Sequence, residues 1–523
     1  MLLLHVIIAN MGRLMTTSLM KSRTALWMIL LVSLAVRLYS VDAPLTDGGQ
    51  ERQTQVSMIA RNLYREHMNI LYPRMDIFGP DSGYVMLEFP FQSAVMAVAY
   101  HFVGDKDIVG RLITIGFSMG SIIFMYLLSR YFLPEKWALF SATIYALTPL
   151  SIYFGRAVFP ESLLMFFSLG ALYFLLCWSE NYRLRYYVLS LIFAAMAFLV
   201  KAPPGLAMIL PLCSIWWIRW RCSLVKRVDF YVFFGFSILP IALWIYWSTY
   251  FGYLVDGWNV YHISTIERLG IPGVWLDRMF YIKMFKSLFI VTLTPMVFIF
   301  SAVGLVKIKN HRLAALIYAW TISMVVYVLL TAGAQMSHWN YQVPLIPVGA
   351  LLATIGIYGL VNEQRIISIW GALKVNRVII FGFIVVAVVL ALGYIMIYSS
   401  VIRDAYNIYK RVPYAIEVGK IVQKEIPDDD FVMLIQPNMV ATCQTYYMDR
   451  KVRVLYIEND PTPTNISKME FWRARGAIGV VAVDTPYGSG TELVKSKPDL
   501  LAYLRGNYRT VRETDHYLIY SLR

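Results

Sequence analysis

Cysteine is scarce in this chain. The 523 residues hold four, Cys177, Cys213, Cys222 and Cys443, three of them in or beside apolar runs and none at metal-like spacing. A disulfide framework and a zinc site are thereby unsupported. Charged residues are only 15% of the sequence, and acids are fewer than bases, 32 against 47. The resulting net charge of +15 does not point to nucleic acid, because the Lys and Arg residues lie in short clusters between apolar runs, as the positive-inside bias of membrane proteins requires. A glycine-rich strand-to-helix turn of nucleotide-binding type is missing, and so is any repeat of 20 to 50 residues. A nucleotide-sugar cleft and a solenoid are therefore not expected.

Long apolar runs are what the sequence has instead. Hydrophobic residues make up 58% of it, and the mean hydropathy is +0.57. Runs of spanning or near-spanning length fall at about 24–40, 90–103, 108–129, 137–154, 160–178, 186–200, 203–218, 229–250, 284–306, 314–333, 344–361 and 378–398. The expected fold is an all-α polytopic membrane protein of about 11–13 spans. The start "MLLLHVIIAN" is too short to cross, and Lys21 and Arg23 read as the cytoplasmic flank of the first span. The basic connections 219–227, 307–312 and 362–377 are then cytoplasmic. The loops near 155–161, Lys201, 251–283 and 334–343, with the C-terminal tail, face the other side. Twelve crossings would put the tail inside, so one run does not cross. The short 90–103 is the weakest, and a split or merged run elsewhere repairs the count equally.

After residue 398 the pattern changes to short β-rich runs, "FVMLIQ", "VRVLYI", "AIGVVAV" and "HYLIYSL", alternating with helical stretches at 412–426 and 498–508. This predicts a small soluble α/β domain over 399–523 behind a membrane domain over 1–398. The acids of "DDD" at 428–430 read as a solvated turn.

Between the first two apolar runs lies a polar loop, 41–89. Within "QVSMIARNLYREHMNIL", Val56, Ile59, Leu63, Met68 and Leu71 follow helical spacing, which predicts a helix in the membrane interface. Just before it, "TDGGQERQ" sets Asp47 in a glycine-containing turn. A carboxylate at the water–membrane boundary can take a proton from an acceptor hydroxyl during group transfer. A solvated turn aspartate is the plain alternative.

The stretches "DGGQERQTQVSMIARNLYREHMNILYPRMD", "LEFPFQSAVMAVAYHF", "VGRL" and "GRAVFPESLLMFF" together resemble the GT-C membrane glycosyltransferases, specifically bacterial relatives of the protein O-mannosyltransferases and the lipid A aminoarabinose transferases. The resemblance covers residues 24–220, with the later spans similar in architecture only. It implies transfer of a sugar from a polyprenyl phosphate with inversion, a catalytic acid in the first external loop, and an inner-membrane enzyme of a bacterium. Asp47 matches that acid. The family's adjacent Asp-Glu pair is not present, since Gly48 follows, and a shift of alignment makes Glu51 the base. The resemblance also sets Arg61 and Arg74 near the donor, with membrane flanking as the other reading. Glu88, where relatives have a lysine on the lipid phosphate, is a candidate for acceptor orientation or for a divalent metal ion.

A departing polyprenyl phosphate gains negative charge, which a guanidinium or ammonium stabilises. Arg111, Arg156 and Lys201 are the expected cations, although charges at span ends also snorkel. Glu161 stands at a helix start, where the helix dipole alone favours it. In "GAQMSHWNYQVPLIP", His338 and Tyr341 resemble the family's H-x-x-Y loop and suit a metal or phosphate, while an interfacial aromatic belt explains them equally. His262, in the aromatic-rich 251–283 segment, is a further sugar-contact candidate. No cofactor is implied beyond the divalent ion. The expected partners are the lipid-linked donor, an acceptor protein, glycan or lipid, and membrane lipids. A transporter or flippase, or a non-catalytic subunit of an envelope polysaccharide system, remains the rival; the former predicts internal pseudo-symmetry, which the sequence does not display.

Overall fold

The computed structural model describes residues 17–254, 258–259, 272–362, 413–427, 431–436, 442–455, 457, 462–485 and 488–521. His262, the run at 378–398 and the acids 428–430 lie outside these residues.

The membrane part is helical, as the apolar runs require. Among the described residues, Asp107–Ser129, Glu161–Asn181 and Val228–Phe251 are long and apolar enough to cross alone. Helices Phe91–Val103, Leu184–Val200, Ala314–Leu330 and Leu345–Val361 are apolar but shorter. Glu161–Asn181 is apolar all round and 94% of its most apolar window is buried, which makes it the central helix. Val228–Phe251 is 22% buried over the same measure and turns Phe236, Leu243 and Tyr246 outward, as a lipid-facing helix does.

Three expected runs are broken, two of them directly before a proline. The run at 137–154 divides into Glu135–Leu147 and Pro149–Phe154, and that at 203–218 into Ala202–Leu206 and Ile209–Trp220. At 284–306 the chain bends by 105° before Pro295, after a π-helical turn at Ser287–Thr292. Proline has no N–H and clashes with the preceding turn, so it starts a helix more readily than it continues one. Phe91–Val103 has 13 residues, too few to span, and it packs beside the loop helix Gln50–Arg65.

Arg37, in the last turn of the first helix Thr17–Leu38, is fully buried. It donates to Ser118 Oγ at 3.0 Å, Ala146 O at 3.1 Å and Ser151 O at 3.0 Å, tying three later segments to the first helix. Gly155 makes room for it, since a Cβ there would stand 2.3 Å from Arg37 Nε.

The C-terminal part is an α/β domain. Val85–Met86 (β1) pairs with Trp258–Asn259 (β2) in the membrane part, and the other strands among the described residues lie in this domain. They are Phe431–Ile435 (β3), Lys451–Leu455 (β4), Ala477–Thr485 (β5), Gly488–Ser489 (β6), Arg509–Glu513 (β7) and Tyr517–Ser521 (β8). Sheet order is β4-β3-β5-β8-β7, with β6 paired to β5. The β4-β3-β5 half is parallel and the β5-β8-β7 half antiparallel, so the sheet is mixed. Alternation along β3 feeds two cores: Phe431, Met433 and Ile435 pack on one face, Val432 and Leu434 on the other.

The edge of β4 does not meet solvent. Gly79 N donates to Val452 O at 2.8 Å and Val452 N to Asp76 O at 2.6 Å, so the polar loop covers the exposed ladder. The membrane part and the α/β domain therefore meet through the loop.

Candidate active site

Gly49 opens the site. Its φ is +69°, left-handed, and a Cβ there would stand 2.4 Å from the Phe159 ring. Glycine is therefore required where the chain turns into the loop helix. The turn directs Asp47 inward, where it, Arg111 and Arg156 are all fully buried. Arg111 Nη1 lies 3.2 Å from Asp47 Oδ2, Arg111 Nη2 3.4 Å from Oδ1, and Arg156 Nη2 4.0 Å from Oδ2. Gln53 Nε2 also donates to Oδ1, and Tyr153 OH donates to Gly48 O.

This geometry gives two of the expected cations protein partners. Arg111 and Arg156 are spent on Asp47 and on backbone carbonyls, those of Pro44 at 2.9 Å and of Tyr39 and Ser40 at 2.7 and 2.9 Å. They hold the loop's acid in place. A buried carboxylate needs such partners, because leaving it alone in a low dielectric is costly.

A second centre forms at the ends of two membrane helices. Lys201 Nζ lies 2.5 Å from Glu161 Oε1 and 4.3 Å from the centre of the Tyr341 ring. Asn340 Nδ2 donates to the same Oε1 at 2.7 Å. Glu161 Oε2 is buried and has no hydrogen-bond partner. Beside this centre Arg52, on the loop helix, pairs with Glu88. A cavity lies here, lined by Arg52, Val56, Glu88, Gln92, Ser93, Pro160 and Val200. Gln92 Oε1, also buried, has no partner either.

The loop helix and the segments around 88, 161, 201 and 340 thus bring two cations, two carboxylates, an amide and a tyrosine to one place. Lys201, Glu88, Glu161 and Tyr341 were expected residues. Arg52 and Asn340 were not, because Arg52 reads as one polar residue among several in "GQERQTQ" and Asn340 as part of an aromatic belt.

Other expected residues go elsewhere. Glu51 Oε2 accepts from Thr442 N at 3.0 Å, Thr442 Oγ1 at 2.7 Å and Cys443 N at 3.2 Å, in the α/β domain. Burial pushes its carboxyl above the usual range, with those bonds acting the other way. Arg61 pairs with Asp105 at 2.6 Å and Asp449 at 3.0 Å and stacks on Tyr446, so it fastens the domain and is not beside the second centre. Arg74 pairs with Glu66 at 2.8 Å and stacks on Tyr84. His338 is exposed, its ring centre 6.3 Å from that of Tyr341. Among the described residues no three His, Cys, Asp or Glu side chains converge, so Glu88 and His338 gain no metal cage from them.

Residues 89–247 match the family model described as dolichyl-phosphate-mannose-protein mannosyltransferase. No curated protein matches in sequence. Among solved structures, ArnT from Cupriavidus metallidurans bound to undecaprenyl phosphate superposes with a TM-score of 0.63 at 14% identity, covering 94% of this chain and 97% of that one. AglB, the oligosaccharyltransferase of Archaeoglobus fulgidus, in complex with an inhibitory peptide and a dolichol-phosphate, gives 0.58 at 12%, covering 88% and 69%. The arabinofuranosyltransferase AftD from Mycobacteria gives 0.55 at 13%, covering 96% of this chain and 40% of that one. Identities this low establish the fold. The expected fold is borne out: the chain is an integral membrane protein with the fold of these glycosyltransferases.

Proposed function

We propose that this protein moves a sugar, hexosyl or pentosyl, from a polyprenyl-phosphate donor to an acceptor hydroxyl, with inversion, on the non-cytoplasmic face of a bacterial inner membrane. The observation that carries the reading is the second centre: Arg52 lines a cavity bounded by Pro160 and Val200, the residues before Glu161 and Lys201, and Glu161 Oε2 is buried without a partner. The bound undecaprenyl phosphate of ArnT and dolichol-phosphate of AglB support a lipid-phosphate donor.

In the reaction the acceptor oxygen attacks the anomeric carbon from the face opposite the phosphate. The bond from that carbon to the phosphate oxygen breaks, and polyprenyl phosphate leaves with the electron pair. The hydroxyl proton passes to a carboxylate. Lys201 and Arg52 stabilise the charge gathering on the leaving phosphate. Glu88 holds Arg52 in place, and the Tyr341 ring lies against the Lys201 ammonium. Asp47 is the proposed base, kept in one orientation by Arg111, Arg156 and Gln53. One observation favours a second assignment of the base to Glu161, namely its unpartnered oxygen. If Asp47 is the base, Glu161 accepts a hydroxyl of the sugar. The acceptor is a protein, glycan or lipid, and a divalent ion, if used, takes ligands beyond the described clusters.

The test is release of polyprenyl phosphate from a panel of polyprenyl-phosphate sugars by protein in liposomes with envelope extract. Native protein, Asp47→Asn and Glu161→Gln are compared. Loss of transfer in Asp47→Asn with residual turnover in Glu161→Gln supports the first assignment, and the reverse supports the second. No donor consumption by native protein on any member of the panel would sink the transferase reading.

A further inference from the structure

Helix Thr442–Met448 of the α/β domain touches the Asp47 turn from both sides. Two residues before Asp47, Leu45 N donates to Tyr447 OH at 2.6 Å, and the same hydroxyl donates to Asp107 Oδ2 at 2.9 Å. Asp107 begins the helix that carries Arg111 one turn later, and Arg111 holds Asp47. Four residues after Asp47, Glu51 receives the Thr442 and Cys443 amides and the Thr442 hydroxyl. Tyr446 OH adds a bond to Asp107 Oδ1 at 2.7 Å, and Thr54 Oγ1 lies 3.2 Å from Thr442 Oγ1. Further out, Arg61 and Arg65 pair with Asp449, and β4 is covered by 76–79.

We propose that this short helix is a clamp that sets the Asp47 turn for catalysis, with Thr442 and Tyr447 as positioning residues and Glu51 as the anchor they grip. The inference rests on the transferase reading above and deepens it, since it makes the α/β domain part of the catalytic unit and not an acceptor-selecting appendage. The physical case is one of leverage. A loop between two membrane helices has no internal ladder to fix it, and reacting groups lose about a hundredfold in rate when displaced by roughly 1 Å. Here the turn's backbone is fastened at 45 and its flank at 51, and both fasteners come from the same seven-residue helix. Glu51, with three donors on one oxygen, is committed to that grip.

The test uses full-length protein in liposomes with polyprenyl-phosphate sugars, read by donor turnover, donor KM and amide hydrogen exchange. Tyr447→Phe and Thr442→Val are expected each to lower kcat about tenfold with donor KM within about twofold of native. They are also expected to raise exchange at 42–54 and leave that of the central helix 161–181 unchanged. Thr442→Ser, which restores the hydroxyl, recovers kcat, and Glu51→Gln, which keeps an acceptor oxygen, recovers most of what Glu51→Leu loses. Native kcat and native exchange in Tyr447→Phe and Thr442→Val overturn the clamp. So does a fall in kcat that only follows the amount of folded protein, and so does complete loss in Glu51→Gln, which would make Glu51 the base. If native protein consumes no donor, the transferase reading fails while exchange still decides the clamp: faster exchange confined to 42–54 supports it, and unchanged exchange overturns it.

Discussion

The two buried charge centres of this protein are built on opposite plans. Around Asp47 the acid meets two guanidiniums and an amide, and those guanidiniums also serve backbone carbonyls. Around Glu161 one oxygen is crowded by Lys201 and Asn340 while the other has no partner, and a cavity adjoins. The first plan fixes a chain segment in place. The second keeps capacity for something that is not protein. Buried polar atoms are almost always paired, so an unpaired one beside a cavity is where a ligand's hydroxyl fits.

The contrast is broken most severely at Asp47. Asp47→Asn is expected to reduce transfer by about 10³-fold, within the range of general-base loss, as measured by product formation at saturating donor. Retention of full activity would reduce the Asp47 centre to a purely structural knot. Next comes Arg52→Met, expected to lower donor turnover by about 10²-fold, the order seen when one electrostatic stabiliser is removed. Its stability cost is expected to be smaller than that of breaking a fully buried pair, because the Arg52 and Glu88 side chains keep 23% and 15% exposure. Arg111→Met should do the opposite. It strips a fully buried carboxylate of its nearest guanidinium, so a stability loss of about 3 kcal/mol is expected, read as a lower melting temperature in detergent. Equal profiles for Arg52→Met and Arg111→Met, in activity and in melting, would erase the distinction between the two plans.

Much of this was legible in the residues. The apolar runs found the membrane helices, and short β-rich runs at 431–436 and 477–483 found β3 and β5, because such hydrophobic runs are a local signal. The breaks before Pro149 and Pro295 were readable in principle, but hydropathy averages over a proline and merges two short helices into one run. The helices Thr442–Met448 and Thr462–Arg473 were not anticipated; the first is seven residues long and buries its polar Thr442, Gln444 and Thr445, which hydropathy does not mark as core. At the site, Asp47, Glu161 and Lys201 stood out as charges beside apolar spans. What spacing did not reveal was pairing. Arg156 and Lys201 look alike in sequence, yet one reaches Asp47 and the other Glu161, a choice made by the tertiary packing of distant segments. Arg52 and Glu51 are neighbours that face the cavity and the α/β domain respectively, since adjacent helical residues point about 100° apart.

The last expected effect concerns how the α/β domain is held to the loop. Burial raises the Asp76 carboxyl to about 6, against a hydrogen bond from Asn62 and the charge of Arg61, with Glu66 and Asp449 adding to the rise. At the same junction burial works against Asp449 too, but the Arg65 hydrogen bond and the Arg61 charge carry it below the usual carboxylate range. The signs differ. Between about pH 4 and 6 the folded protein keeps a proton on Asp76 that the unfolded chain has released, so stability falls as pH rises through that window, with a slope of roughly one proton. Asp449 acts below it, its contribution being lost only as pH falls past its lowered value. Asp76→Asn removes the first slope while retaining an oxygen to accept from Asn62. The melting temperature of this variant, compared with native protein, is therefore expected to be nearly equal at pH 4 and progressively higher up to about pH 7. A constant difference across that range would mean that Asp76 is ionised at all these pH values, and that the covered edge of β4 carries no proton-linked contact.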